Sequence, residues 1–212
     1  MKIISYSEIS EVALLDKLRT VPLKGFGNPF IYQDANLQVI ENFPVTLLTP
    51  PQRYILTGTV QAIFDLADAF DAQCVDIFTL RGALIFWTEG MNPKKDKPIP
   101  FLPPIVEHSV EKDGRSIMLV NDGMHRVWAA RKRNRNINIV FASNLPVEYP
   151  YYAYAMLEGW DAVQEFKELP DVFQKKEYRN PDNYKALFRQ FNVVFPGVQE
   201  QRKQSNPVHI KE

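Results

Sequence analysis

The sequence predicts an α/β (α+β) fold followed by a mainly helical C-terminal extension. An amphipathic helix beginning near Thr59 is predicted by apolar residues at helical spacing, namely Val60, Ile63, Phe64, Ala67 and Phe70. Residues 116–142 then follow the order strand, tight turn, basic helix, strand, which is typical of α/β proteins. The chain has 212 residues, 45% of them hydrophobic, so we expect one domain at 1–145 and an extension at 146–212.

The elements before Thr59 are predicted from caps and turn residues. Ser7 can cap a helix that runs to Leu18, where apolar residues recur at roughly helical spacing. Residues 21–58 are rich in proline and turn residues, which indicates loops. Two short extended runs, Leu37–Ile40 and Val45–Leu48, interrupt these loops.

Four apolar segments after residue 74 are predicted to be extended. Val75–Leu80 and Ala83–Thr88 have the length and composition of buried strands. Leu102–Val110 and Ser116–Val120 flank the turn sequence EKDGR at 111–115, which predicts a hairpin. The second of these strands leads into the basic helix, and Ile137–Ala142 supplies the strand that follows it.

The extension is predicted to contain a helix near residue 184. Pro181 precedes apolar residues at helical spacing: Tyr184, Leu187, Phe188 and Phe191. Its apolar face needs a partner, and an aromatic cluster can provide one: Tyr149, Tyr151, Tyr152, Tyr154 and Trp160. These aromatic side chains either pack in the core, which is their more frequent role, or form the wall of a ligand pocket.

The charge balance disfavours a general attraction to nucleic acid. Lys and Arg number 25, as do Asp and Glu, so no global field of one sign exists. The distribution is uneven, because residues 1–90 hold six basic and ten acidic side chains, whereas residues 91–212 hold nineteen and fifteen. An anionic ligand is therefore expected in the second half of the chain.

The predicted compartment is the cytoplasm. Cys74 is the one cysteine of the chain, so no intrachain disulfide can form. No apolar stretch approaches the about 20 residues that a membrane-spanning helix requires, and no membrane partner is expected. The first ten residues, MKIISYSEIS, do not have the pattern of a secretory signal.

The segment from Asn121 to Arg126 is predicted to bind an anion. Gly123 follows a strand and can adopt a positive φ, and the next helix directs unsatisfied N–H groups towards this turn. His125 and Arg126 fall in the first turn of that helix, where cationic side chains oppose the helix dipole. A bound phosphate would remove the conflict. In the alternative interpretation, Asp122 caps the helix and Arg126 pairs with a surface carboxylate.

The same segment, LVNDGMHRVWAARKRN at 119–134, resembles the ParB/sulfiredoxin superfamily. The resemblance rests on a DGxHR-type turn after a strand, on a helix containing Ala129 and Ala130, and on a preceding Pro-Pro-Ile-Val strand at 103–106. It covers residues 1–142 loosely and implies a small mixed sheet with flanking helices. It also implies a bound nucleotide, ATP, ADP or CTP, whose phosphates contact five residues at the turn: Asn121, Gly123, Met124, His125 and Arg126.

Differences at the turn distinguish among the activities of this superfamily. Sulfiredoxins have a catalytic cysteine at the position of Met124, and a thioether cannot replace a thiolate nucleophile. DNA-partitioning CTPases have an acidic residue there and a second arginine at the position of His125. The chain therefore resembles the free-serine kinases and the uncharacterised DGxHR proteins more closely, although it lacks the kinases' recognisable N-terminal glutamate motif.

Phosphoryl transfer at this turn would require a carboxylate that orients or deprotonates the nucleophile. Asp122 is the best placed by sequence, and His125 is a second candidate for proton handling. Glu107, on the neighbouring strand, is a third candidate, and its alternative interpretation is a solvated side chain near a strand end. No HExxH or similar spacing predicts a protein-bound metal, so Mg²⁺ is expected to arrive with the nucleotide.

Two hypotheses follow for the function. The first is a nucleotide-binding protein of the small-molecule kinase or NTPase type, with a small-molecule acceptor. The second is a non-catalytic DNA-associated module in which the turn and the Arg131–Arg135 cluster hold backbone phosphates. Overall neutrality favours the first, because DNA-binding domains usually carry a basic surplus. The missing glutamate motif favours the second.

Overall fold

A computed structural model describes residues 1–198 and contains both strands and helices, as expected for an α/β (α+β) fold. The strands are β1 (Ile3–Ile9), β2 (Asn36–Phe43), β3 (Tyr54–Leu56), β4 (Ala83–Thr88), β5 (Ile99–Phe101), β6 (Ile105–Val110), β7 (Ser116–Asp122), β8 (Ile137–Ser143) and β9 (Gln164–Phe166). The helices are α1 (Glu11–Arg19), α2 (Thr57–Asp71), α3 (Met124–Lys132) and α4 (Phe191–Val194).

The largest sheet is mixed and has the strand order β2-β8-β6-β7. β8 and β6 are parallel, whereas β2 pairs with β8 and β7 pairs with β6 in antiparallel fashion. The predicted hairpin is confirmed as β6 and β7, with Val110 opposite Ser116. The predicted strand, turn, basic helix and strand are confirmed as β7, α3 and β8.

Two smaller sheets complete the strand pairing. β1, β4 and β5 form an antiparallel sheet in the order β1-β4-β5. β3 and β9 form a parallel pair, and β3 leads directly into α2. Because β9 lies beyond residue 145, this pair joins the C-terminal region to the strand that introduces α2.

Helices cover both faces of the mixed sheet, as the alternation along β8 shows. Ile137 and Ile139 belong to a hydrophobic cluster that contains the buried faces of α2 and α3. Val140 and Ala142 belong to a second cluster that contains the buried residues of α1. The predicted amphipathic helix is α2, and its apolar positions at helical spacing lie in the first cluster.

The predicted start of the first helix is wrong. Ser7 lies in β1 and pairs with Ile85 of β4, so it cannot cap a helix. Ser10 is the N-cap instead, and its hydroxyl accepts a hydrogen bond from the Ala13 N–H at 3.3 Å. The expected extended run at Val45–Leu48 is also wrong, because Val45–Leu47 forms a 3₁₀ turn after Pro44.

The predicted strand Val75–Leu80 is a loop. An Asp76 carboxylate oxygen accepts a hydrogen bond from the Phe78 N–H at 3.0 Å, which closes a local turn that competes with strand formation. Ile77 and Phe78 are buried at 2% and 1% exposure without belonging to a strand. The apolar run at 75–80 therefore predicts the burial of these side chains correctly but does not predict the backbone conformation.

The described part of the C-terminal region contains short helical turns. Gly159–Ala162 and Tyr184–Leu187 are 3₁₀ turns, and α4 follows the second of them. The predicted helix through Tyr184 and Phe191 is interrupted because Arg189 leaves the helical path and forms a β-bridge with Leu23. Residues 199–212 of the predicted extension lie outside the described residues.

The C-terminal region packs against the preceding elements. The Trp160 ring contacts the ring of Trp128 in α3, with the centroids 5.8 Å apart. The Trp160 indole N–H donates to the Leu48 carbonyl at 2.6 Å. The division at residues 145 and 146 stays a prediction. None of the helices within residues 1–198 is long and apolar enough to cross a membrane.

Candidate functional site

The turn between β7 and α3 requires glycine at position 123. Gly123 has φ 95° and is the N-cap residue of α3, and this region of φ is unfavourable for residues with a Cβ. A Cβ there would lie 2.9 Å from Arg126 Nε and 3.0 Å from Pro104 Cα. The positive φ that the sequence predicts at Gly123 is confirmed.

Among residues 1–198, no side chain caps the N-terminus of α3, and no acidic residue lies in the first turn of this helix. Asp122 does not cap it, because its carboxylate accepts a charge-assisted hydrogen bond from Arg126. The first amides of α3 therefore lack helical acceptors and carry the positive end of the helix dipole.

Arg126 is held close to the turn. Its guanidinium donates to the Leu102 carbonyl as well as to Asp122. The Arg126 side chain is 13% exposed and that of Asp122 is 46% exposed, so the ion pair lies at a boundary with open space. The pair does not fully enclose the Asp122 carboxylate, which stays accessible from one side.

A second helix begins beside the turn. In the described part of the chain, α2 also lacks a side-chain cap and an acidic residue in its first turn, and a Cβ on Gly58 would meet no described atom within 4 Å. The Leu56 N–H donates to His125 Nε2 at 3.0 Å, which joins the starts of α2 and α3. Because Nε2 is an acceptor in this bond, this ring nitrogen carries no proton in the bonded arrangement.

The two helix N-termini border a cavity of about 570 Å³. Its polar and charged lining residues are Gln52, Tyr54, Thr59, Asn121, Asp122, His125, Arg126, Tyr152, Lys175 and Lys176. Its apolar wall includes Ile63, Ile99, Phe101 and Leu102. Asp122 is the one carboxylate among these described lining residues and is opposed by Arg126, Lys175 and Lys176. The cavity therefore favours an anion.

Glu107 does not line this cavity. Its side chain is 1% exposed and forms a bidentate ion pair with Arg189, with Oε1–Nε and Oε2–Nη2 distances of 3.0 Å each. The Tyr32 hydroxyl donates to Glu107 Oε1 at 2.7 Å. Glu107 is thus a buried carboxylate whose two oxygens both accept hydrogen bonds, and it is not the solvated side chain of the alternative interpretation.

Glu107 fixes the orientation of Asn121. The Asn121 amide nitrogen donates to the Glu107 carboxylate and to the Tyr32 hydroxyl. A carboxylate only accepts hydrogen bonds, so the amide nitrogen must face it and the carbonyl Oδ1 must point elsewhere. Within residues 1–198, no group donates to this Oδ1. Asn121 is also one of the residues that line the cavity.

Most of the Arg131–Arg135 cluster is neutralised within the protein. Lys132 pairs with Glu165, Arg133 with Asp68 and Arg135 with Asp76. The Arg131 guanidinium lies over the Trp160 ring, 5.9 Å from its centroid. These pairs leave little free positive charge for a DNA backbone.

Sequence reasoning missed two contributors to the cavity. The first is the start of α2, which follows β3 directly with Gly58 as its second residue, so no glycine turn like that at Gly123 marks it in the sequence. The second is Lys175 and Lys176, for which the sequence provides no signal. Within residues 1–198, no group of three or more His, Cys, Asp or Glu side chains could hold a metal ion.

Comparison with known proteins identifies one family. A family model described as the ParB CE domain matches residues 13–164. This segment includes the turn, Glu107 and the N-termini of α2 and α3, whereas Lys175, Lys176 and Arg189 lie beyond it. No curated protein matches the chain.

Proposed function

Because the chain belongs to the ParB CE domain family, we propose that it binds a nucleoside di- or triphosphate at the Asp122–Arg126 turn and transfers or hydrolyses a phosphate. ATP, ADP and CTP are the candidate ligands, with Mg²⁺ bound to their phosphates. One observation carries the proposal. The cavity at this turn is bordered by two uncapped helix N-termini and by three cationic side chains against one carboxylate.

The cavity has a suitable size and polarity for a nucleotide. Its volume of about 570 Å³ lies within the range of small-molecule sites, about 300–1,000 Å³. The amides at the starts of α2 and α3, together with Arg126, would bind phosphate oxygens. Ile99, Phe101 and Leu102 would pack against the base or the sugar, and Asn121 Oδ1 would accept a hydrogen bond from a hydroxyl group.

Asp122 is the proposed catalytic carboxylate. Arg126 binds its Oδ2 atom, which leaves the other oxygen for a nucleophile or a Mg²⁺ ion. In the transfer step, the oxygen of water or of an acceptor hydroxyl forms a new bond to phosphorus. The bond between that phosphorus and the bridging oxygen breaks, and the proton of the nucleophile passes to Asp122. Bound Mg²⁺ would supply charge neutralisation at the phosphates.

His125 has a positioning role in this proposal. Its Nε2 atom is occupied by the Leu56 N–H and cannot accept a proton while that bond persists. The imidazole would hold the starts of α2 and α3 at a fixed separation, so that both sets of amides reach the same phosphate chain. Met124 would contribute its backbone N–H, because its side chain is buried at 5% exposure.

A calorimetric titration with ADP, ATP, CTP and GTP, each with Mg²⁺, tests the proposal. A thermal-shift screen with the same nucleotides runs in parallel, since a ligand at 100 times its Kd stabilises by about 2.7 kcal/mol. We expect at least one nucleotide to bind and its unphosphorylated nucleoside to bind far more weakly. Phosphate release, with and without candidate hydroxyl acceptors, then tests turnover.

The control for the nucleotide experiment is a titration with double-stranded and single-stranded DNA. Absence of binding by every nucleotide at millimolar concentration would contradict the proposal. DNA binding that is lost on reversing the charges of Arg131 and Arg133, without any nucleotide binding, would favour the DNA-associated module instead.

A further inference from the structure

Lys176 is a buried cation in the wall of the cavity. The residue is 7% exposed and lines the same cavity as Asp122 and Arg126. It follows the segment that matches the family, which ends at residue 164. The C-terminal region therefore adds a charged group that the family match does not account for.

Within residues 1–198, the positive charge of Lys176 has no counter-charge, because no salt bridge joins it to a carboxylate. Its ammonium group donates to the hydroxyls of Tyr151, at 2.8 Å, and Tyr152, at 2.6 Å. Burial raises the pKa of Tyr151 well above its ordinary value, so this phenol stays neutral. A buried ammonium held only by neutral groups is energetically unfavourable without an anionic partner.

Among the described residues, one N–H donor of the Lys176 ammonium has no hydrogen-bond acceptor, and the ammonium lies 4.5 Å from the Tyr152 ring centroid. An ammonium group carries three N–H donors, and among the described residues only two acceptors bind it. The third donor and the unbalanced charge belong to a side chain that lines the cavity. Lys175 lines the same cavity and adds a second positive charge at this wall.

We infer that Lys176, supported by the hydroxyls of Tyr151 and Tyr152, forms an oxyanion subsite that the C-terminal region contributes to the cavity. Its ligand is a phosphate or carboxylate group. This group belongs either to the terminal phosphate of the nucleotide or to an anionic acceptor. The inference rests on the proposed function for the identity of the larger ligand, but the anion subsite itself can be measured without a nucleotide.

The test compares Lys176→Met with Lys185→Met. Both substitutions remove one charge and keep a similar chain length. Lys185 is exposed and also contacts a tyrosine ring, with its ammonium 5.9 Å from the Tyr184 centroid, but it does not line the cavity. Inorganic phosphate is titrated calorimetrically into each protein, first alone and then with saturating ADP and Mg²⁺. We expect Lys176→Met to weaken phosphate binding at least tenfold and Lys185→Met to leave it within twofold of the unaltered chain.

The two sources of the anion give different results. If the terminal phosphate of the nucleotide is the source, Lys176→Met weakens the binding of ATP more than the binding of ADP. If an acceptor is the source, both nucleotides bind Lys176→Met normally, whereas phosphate binding in the presence of ADP is lost. Phosphate binding that is equal in all three proteins would overturn the inference.

A measurement on the unaltered chain covers the case in which Lys176→Met does not fold. Reductive methylation of lysines is followed by mass spectrometry with phosphate and with chloride at equal ionic strength. We expect phosphate to slow the modification of Lys176 at least threefold and to leave Lys185 unchanged. An unchanged rate at Lys176 would also overturn the inference. Failure of ADP to bind, with Lys176-dependent phosphate binding intact, would instead reject the nucleotide function and leave the oxyanion subsite standing.

Discussion

Glu107 and Arg189 form an ion pair that is sealed from solvent, with both side chains at 1% exposure. Glu107 lies in β6 of the mixed sheet, and Arg189 lies in the C-terminal region. Every N–H donor of the Arg189 guanidinium has an acceptor, since the donors not used by Glu107 bind the carbonyls of Tyr149, Pro150 and Leu187. This pair also holds Asn121 at the edge of the cavity, because Asn121 donates to the same carboxylate.

Breaking this ion pair should destabilise the whole chain. Glu107→Gln leaves the buried guanidinium without a counter-charge, and we expect a loss of about 3–5 kcal/mol in the free energy of unfolding. Arg189→Met should have a similar cost, and the double variant should lose less than the sum of the two. The measurement is urea denaturation followed by circular dichroism. The control is Arg81→Ala, which breaks surface ion pairs with Glu11 and Glu41 and should cost far less than the buried pair.

The same variants distinguish the two possible roles of Glu107. A positioning role predicts that Glu107→Gln loses stability and nucleotide affinity together, because Asn121 loses its fixed orientation. A stable Glu107→Gln variant that binds nucleotide normally but does not turn it over would instead indicate direct catalysis by this carboxylate.

The local elements of the fold could be predicted from the sequence because their signals lie within the elements. The apolar spacing of α2 and the order β7, α3, β8 are such signals. The remaining elements depend on distant partners. Ser7 belongs to a strand because Ile85 pairs with it, and Arg189 leaves the helical path because it bridges to Leu23. Neither pairing is encoded in the periodicity of the segments involved.

The candidate site likewise combines features with a local sequence signal and features that depend on distant residues. The turn at Gly123 was predictable because glycine after a strand, followed by a helix, is a local pattern. The bond between Leu56 and His125 joins residues 69 positions apart, and no local pattern predicts it. Lys176 reaches the cavity only because the C-terminal region packs beside the turn, so its role depends on tertiary structure.

Alkaline pH should destabilise the protein through its buried tyrosines. Burial raises the pKa of Tyr32 well above its ordinary value, and the adjacent Glu107 carboxylate adds to this effect. The unfolded chain ionises its tyrosines near pH 10. The contribution of Tyr32 to stability is therefore complete below about pH 10 and is lost as the pH rises towards the higher folded-state pKa.

Absorbance at 295 nm, which reports phenolate, measures this effect. We expect part of the absorbance of the nine tyrosines to appear only together with unfolding, as monitored by circular dichroism. In denaturant, all of them should titrate near pH 10. Titration of all nine tyrosines of the folded chain with midpoints near pH 10 would contradict the prediction.

Asp122→Asn should separate binding from turnover. The substitution removes the one carboxylate among the described lining residues of the cavity, so nucleotide affinity should stay the same or rise. An amide cannot accept the proton of the nucleophile, and we expect turnover to fall by about 10²–10⁴-fold. Calorimetry and phosphate release measure the two effects. Unchanged turnover would exclude Asp122 as the base, and a loss of binding would mean that its main role is to orient Arg126.

The crowding at Gly123 can be separated from its backbone strain by comparison with Gly114. Both glycines have a positive φ, of 95° and 81°, but a Cβ on Gly114 would meet no atom within 4 Å. Gly114→Ala should therefore cost only the conformational term, about 1–2 kcal/mol. Gly123→Ala should cost about 1–3 kcal/mol more, because its Cβ presses on Arg126 and on the backbone of Pro104.

Gly123→Ala should also weaken nucleotide binding at least tenfold, whereas Gly114→Ala should not change the affinity for the nucleotide. The new methyl group displaces the Arg126 guanidinium and shifts the first amides of α3, and both are proposed phosphate ligands. Urea denaturation and calorimetric titration of the two variants measure stability and binding side by side. Equal losses of stability in both variants would mean that the turn yields to the methyl group. In that case, a difference in nucleotide affinity between the two variants would have to come from direct contact of the methyl group at position 123 with the nucleotide.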